Sequence, residues 1–336
     1  MTDASSDLDA VAARSSGALM TRRTLLAGTA AGVLAGCASP FEPERAENAF
    51  PPIGEFVETS KGLVHAWRAG PSDPALAART PVVLIHGASG NLRDFTYGIA
   101  PRIAETRPVI AVDRPGFGYT DRPEGAEHPS IQAAMLREAA IRLGAERPHV
   151  LGHSYGAAVS MAWAVEAPGN IAGVVPVSGV TMPYGGLGRV FSALGISGVV
   201  TWAYTQYLKS IAEDGGVERF LARVFRPQSP PPGYAAYVGA PLALRESTLQ
   251  ANSRDLQQIN SALFDLAPRY GELSVPAEIV HGSADFIEPD GQAIPLKGAL
   301  PQARLTLLPN VGHMAHHVAP DVLIAALDRL DAADRA

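Results

Sequence analysis

The stretch His149-Val150-Leu151-Gly152-His153-Ser154-Tyr155-Gly156 decides the reading of the fold. An apolar run enters it, a serine stands midway between two glycines, and a small-residue stretch from Tyr155 to Glu166 leaves it, closed by Pro168-Gly169. This G-x-S-x-G pattern sets a nucleophile at the tip of a sharp strand-to-helix turn. The backbone at such a tip is strained, and the flanking positions must lack side chains for the turn to pack. The hydroxyl then stands clear of the sheet. The helix behind it aims free N–H groups and a positive dipole end at any developing oxyanion. A chain with 33 glycines matches five residues by chance now and then, but the strand before and the Ala-rich helix after make the match specific.

Working outward, apolar strand-like runs alternate with helical stretches, the pattern of a parallel sheet built from βαβ units. Pro81–Ile85, Val109–Val112, Val174–Ser178, Glu278–His281 and Leu305–Leu308 are such runs. The first is apolar throughout, as a strand buried on both faces requires. Phe56–Thr59 and Leu63–Trp67, joined across Lys61-Gly62, predict an opening hairpin. Ser130–Leu143 has helical spacing, with Ser130 as N-cap and Gly144 as the stop, and a last amphipathic helix runs from about Pro320 to Leu330. The fold class is therefore α/β, a mostly parallel sheet flanked by helices. The core is expected in two parts, 53–180 and 274–336, around an aromatic-rich insertion over 181–273 that reads as a helical lid with a break at Ser229-Pro230-Pro231-Pro232-Gly233.

A serine nucleophile needs a base, and the base needs an orienting acid. His313, after the last strand, returns an imidazole to the sheet edge that carries Ser154; His316 and His317 are rivals expected to begin the next helix and point away. For the acid, Asp285 follows a clear strand in Gly282-Ser283-Ala284-Asp285, with Glu288 and Asp290 as rivals. The close histidines raise a metal, but no carboxylate or cysteine cluster completes a site in the sequence, so neither metal nor cofactor is expected. Asp113, in Asp113-Arg114-Pro115-Gly116-Phe117-Gly118, reads as a structural turn without a proton-transfer role, and His86 as a loop brace.

Taken together, His86-Gly87, Asp113 to Gly118, Gly152 to Gly156, Gly282 to Asp285 and Gly312-His313 resemble the α/β-hydrolase superfamily in order and spacing, from about Phe56 to the C-terminal helix. The resemblance implies a Ser154, Asp285, His313 triad, in that chain order. It also implies an oxyanion hole from the backbone N–H groups of Ala88 and Tyr155. Some members carry the acid one strand earlier, but Ser178-Gly179-Val180-Thr181-Met182 holds no carboxylate. A serine at the elbow argues against the haloalkane dehalogenases and epoxide hydrolases, which use aspartate there. The glycine run of hormone-sensitive-lipase relatives is missing after His86.

The N-terminal region has its own character. Arg22-Arg23 precede an uncharged Ala/Gly/Leu segment of about eleven residues, the length of a signal-peptide h-region and too short to span a bilayer. Leu34-Ala35-Gly36-Cys37 resembles a bacterial lipobox, and Thr21-Arg22-Arg23-Thr24-Leu25-Leu26 resembles a twin-arginine export signal. Residues 1–37 are thus expected to be a signal peptide, with Met20 where such a segment begins and Cys37 as the lipidation site. Residues 38–52 are expected to be a tether. The implied place is the periplasmic face of a bacterial membrane, held by acyl chains on Cys37, with Tat-type export without lipid as the alternative. Cys37 is the only cysteine, so no intramolecular disulfide exists.

The chain of 336 residues carries a formal net charge of −6, which leaves no electrostatic footprint for nucleic acid. The expected partner is a small ester or acyl substrate, apolar in character. Two other readings of the same residues stand beside ester hydrolysis. One is a different reaction of the triad, namely C–C bond hydrolysis, lactone opening or perhydrolysis. The other is a non-catalytic binding protein on the same fold.

Overall fold

The computed structural model describes residues 43–185 and 215–334. The signal segment with Met20, the lipobox with Cys37 and the middle of the insertion lie outside the described residues. An eight-stranded sheet runs in the order β1-β2-β4-β3-β5-β6-β7-β8. Its strands are β1 Glu55–Thr59, β2 Gly62–Ala69, β3 Val82–Ile85, β4 Val109–Val112, β5 His149–His153, β6 Gly173–Val177, β7 Glu278–Gly282 and β8 Arg304–Leu308. The β1–β2 and β2–β4 pairs are antiparallel and all the others parallel, so the opening hairpin caps an otherwise parallel sheet.

The apolar runs are explained by burial on both faces. Val83, Ile85 and Val150 join the core against the helices Pro129–Arg142 and Tyr155–Glu166. Their neighbours Val82, Leu84 and Leu151 face the other way, into a core with Ile99, Ile103 and the C-terminal helix residues Leu323 and Leu327. Successive residues of one strand thus feed two cores, which is the period-two geometry of a strand. Truncating a wholly buried residue such as Leu84 to alanine costs about 2–5 kcal/mol on this packing.

Two local expectations differ. The cap of the helix Pro129–Arg142 is His128, whose ring nitrogen accepts from the Ser130 amide, because Pro129 takes the first helical position. The second half of the expected tether is a helix, Pro43–Ala49, packed on the domain. There Arg245 Nη1 pairs with Glu47 Oε1 at 2.7 Å, Tyr119 Oη donates to Phe50 O at 2.6 Å and Arg93 Nη2 donates to Pro51 O at 2.6 Å. The insertion between β6 and β7 is helical where described: Gly216–Val224, Tyr234–Tyr237, Ala240–Ala243 and the long helix Glu246–Leu266. Among the described residues no helix is long and apolar enough to cross a membrane.

Candidate active site

The C-terminal ends of β3, β5, β7 and β8 lie along one edge, and the loops leaving them carry the residues singled out above. Ser154 follows β5 with φ 55° and ψ −118°, a left-handed conformation that costs a residue with a Cβ about 1–3 kcal/mol. The neighbouring strand holds it there: Ser154 N donates to Val177 O at 3.0 Å, and Val180 N donates to Ser154 O at 3.1 Å. A Cβ on Gly152 would stand 2.1 Å from Gly156 O, and one on Gly156 would stand 2.1 Å from Ile85 O. The two glycines are therefore required by backbone approach.

Ser154 Oγ lies 3.0 Å from His313 Nε2, and His313 Nδ1 lies 2.9 and 3.0 Å from the two oxygens of Asp285. Burial by itself would raise the Asp285 carboxyl, but hydrogen bonds from His281 and His313 override it and hold the group well below the usual carboxylate range. An ionised Asp285 accepts only, so Nδ1 carries the proton and Nε2 offers its lone pair to the serine hydroxyl. The rivals Glu288 and Asp290 are exposed, whereas Asp285 is buried. The Asp285 and His313 loops are tied to each other by Ala284 N donating to Val311 O at 2.9 Å. Phe286, beside Asp285, lays its ring 4.5 Å from that of His313 and remains 63% exposed at the mouth of the cavity.

The loop after β3 lies against the serine: a Cβ on Gly87 would be 3.0 Å from Ser154 Cβ. His86 is fully buried, with Nε2 accepting from Arg114 N at 2.9 Å and Nδ1 donating to Gly87 O at 2.8 Å. Burial, then the Arg114 charge, pushes its pKa down to about 4, so it is a neutral brace as expected. Asp113 accepts from His65 Nδ1, Leu92 N and Tyr119 N and fixes its turn. Tyr155 opens the elbow helix, where a backbone N–H has no intrahelical acceptor.

His316 and His317 do sit on a short helix, Ala315–Val318, but they face a carboxylate that sequence reading had not connected to them. Asp94 Oδ2 accepts from His316 Nε2 at 3.1 Å, and Asp94 Oδ1 accepts from His317 Nε2 at 2.8 Å and Tyr234 Oη at 2.7 Å. Burial opposes the Asp94 charge, yet His316 and His317 hold its carboxyl well below the usual range. Asp94, His153 and His316 offer ligand atoms within 4.8 Å of one another, in a cluster where Asp94 already accepts from His316 Nε2.

A cavity of about 520 Å³ opens on Ser154 and His313. Its far wall is apolar, with Val217, Leu221, Val224, Leu256 and Ile259 from the insertion. Among the described lining residues there is no lysine or arginine, and Asp94 is the carboxylate.

Residues 80–320 match the family model of the alpha/beta hydrolase fold, and the chain belongs to that family. It is 25% identical over 242 residues to a 2-hydroxy-6-oxo-6-phenylhexa-2,4-dienoate hydrolase of Burkholderia cepacia, covering 70% of this chain and 81% of that one. It is 30% identical over 244 residues to the dihydrolipoyllysine-residue acetyltransferase component of the acetoin cleaving system of Pseudomonas putida. That match covers 70% of this chain and spans 59% of the relative's length. The solved structure of a thermophilic esterase from Thermogutta terrifontis is similar with a TM-score of 0.64 at 15% identity, covering 84% of this chain and all of the other, a likeness in fold alone.

Proposed function

We propose that the protein is a serine hydrolase that cleaves a carboxylic ester or related acyl bond through an acyl-enzyme on Ser154. The observation that carries this reading is the hydrogen-bonded line from Ser154 Oγ through His313 to Asp285, opening on an apolar cavity. His313 Nε2 takes the hydroxyl proton as Oγ attacks the carbonyl carbon, and Asp285 stabilises the imidazolium that forms. The N–H groups of Ala88 and Tyr155 receive the oxyanion, each donor contributing about 3 kcal/mol to the transition state. The imidazolium then protonates the leaving alkoxide. Water, deprotonated by the same nitrogen, attacks the acyl carbon and regenerates Ser154 with release of the acid.

C–C bond hydrolysis of a dienoate is the second reading, favoured by the Burkholderia relative. Such a substrate carries a carboxylate, for which the described lining offers Asp94 and no cation. An uncharged apolar acyl group suits that lining better. Turnover of p-nitrophenyl esters from acetate to dodecanoate, compared with 2-hydroxy-6-oxo-6-phenylhexa-2,4-dienoate, separates the two. Esters turned over and the dienoate untouched is the expected result; faster cleavage of the dienoate overturns it.

The sequence around Cys37 supports a further reading, export and anchoring to a bacterial membrane through acyl chains on that cysteine, with residues 181–273 as a lid over the site. Alkyne fatty-acid labelling of the expressed full chain is expected, and its persistence in Cys37→Ala would overturn the anchor.

A further inference from the structure

The peptide expected to bind the oxyanion is held by the insertion. Its long helix, Glu246–Leu266, brings two polar residues, Asn252 and Asp255, to one face, and both are buried. A buried polar side chain is tolerated only with its hydrogen bonds made, so the partners reveal what the pair is for. Asn252 Oδ1 accepts from Ser89 N at 3.0 Å. The amide can only donate, which fixes the Asn252 oxygen toward the loop. Asp255 Oδ2 accepts from Arg114 Nη1 at 2.8 Å and from Gln132 Nε2 at 3.1 Å, while Oδ1 accepts from Arg122 Nη2 at 2.8 Å.

Arg114 passes that hold on to the loop. Its guanidinium lies between the rings of Phe117 and Tyr155, 4.2 and 4.3 Å from their centres, and Nη2 donates to Gly87 O at 3.3 Å. Gly87 O also accepts from His86 Nδ1. The carbonyl of Gly87 and the N–H of Ala88 belong to one planar trans peptide and point in opposite directions. Fixing the carbonyl toward Arg114 therefore aims the Ala88 N–H away from it. One peptide further on, Ser89 adopts φ 55°, a conformation disfavoured by roughly 1–2 kcal/mol that the bond from its N–H to Asn252 holds in place.

We infer that Asn252 and Asp255 are positioning residues for the Gly87–Ala88 oxyanion peptide, so that the insertion sets the turnover rate of the site as well as walling its cavity. The inference rests on the serine-hydrolase reading above. Asn252 acts directly on the Ser89 amide, and Asp255 acts through Arg114 on the Gly87 carbonyl.

Asn252→Leu keeps the side-chain volume and removes the acceptor; Asn252→Asp keeps an oxygen at the same place. For p-nitrophenyl butyrate, kcat of the leucine variant is expected to fall by roughly tenfold or more, with KM within about twofold of the parent. The inhibition constant of a trifluoromethyl ketone, whose adduct on Ser154 places an oxyanion in the hole, is expected to rise by the same factor as kcat falls. The aspartate variant should recover most of both. Were the leucine variant not to fold, Asn252→Ser, too short to reach Ser89, carries the same expectation. A kcat within about twofold of the parent in the variant without the acceptor overturns the inference, as do equal losses in the leucine and aspartate variants. Failure of the hydrolase reading looks different, since the parent itself would then neither turn over the ester nor bind the ketone.

Discussion

His153 Nε2 donates to the backbone carbonyl of His313 at 3.0 Å, so the residue before the strained serine holds the loop that bears the imidazole. A carbonyl only accepts, which places the proton of His153 on Nε2. Burial first, and then the neighbouring His316 and His313, keep its pKa well below the ordinary histidine value, so the ring is a fixed neutral strut. The first x of G-x-S-x-G, His153, thereby joins the serine elbow to the His313 loop across the chain.

Replacing His153 by alanine leaves that carbonyl unpaired in a buried setting and opens space beside the His316 ring, 4.3 Å away. A loss of about 2–3 kcal/mol in stability is expected, with a fall in kcat as the base loop loosens. Urea unfolding and ester turnover measured on the same preparation check it. Unchanged values of both would show that the strut holds nothing.

Acid sensitivity follows from the buried histidines. His86 has its pKa pushed to about 4 by burial and Arg114, against 6.5 for a free histidine. Between those values the unfolded chain binds the extra proton. The stability of keeping His86 neutral is therefore complete above about pH 6.5 and is lost as the pH falls toward 4, by about 3 kcal/mol. His153 and His316 shift in the same direction and steepen the loss. Tm should drop markedly between about pH 7 and about pH 5, and less so in His86→Asn, which is the less stable of the two at neutral pH. A flat Tm over that interval would refute the neutral-histidine picture.

Arg114 and Asp255 form an ion pair with neither side chain exposed. Asp255→Ala would leave a guanidinium buried without its counter-charge, and about 3–5 kcal/mol of destabilisation is expected. Denaturant unfolding reads this directly. A change below about 1 kcal/mol would place the guanidinium in a far more polar setting than the structure gives it.

What could be read in the chain and what could not divides along a physical line. Ser154, Asp285 and His313 were legible because each follows an apolar run that marks a strand end and lies in a glycine-punctuated loop, signals that are local in sequence. His86 and Asp113 were legible as braces for the same reason. Asp94 was not, because its partners His316, His317 and Tyr234 reach it only through tertiary packing, and Asp94 itself sits in an unremarkable polar run, Asn91-Leu92-Arg93-Asp94. Asn252 and Asp255 were equally hidden: on a helix rich in Ser, Gln, Asn and Asp they look like a solvated face, and only the approach of Arg114 and Ser89 shows them to be buried. The cap moved from Ser130 to His128 because Pro129 takes the first helical position. The packed helix Pro43–Ala49 was masked by a composition rich in Pro, Glu and Ala that reads as a tether.

The most direct test of Ser154 as the nucleophile is reaction of the protein with a fluorophosphonate, followed by peptide mass mapping and by ester turnover of Ser154→Ala. A single phosphonyl group on the peptide containing Ser154, no label in the alanine variant and a fall in turnover of at least about a thousandfold are expected. Labelling at another residue, or ester turnover in Ser154→Ala equal to that of the parent, would contradict the assignment.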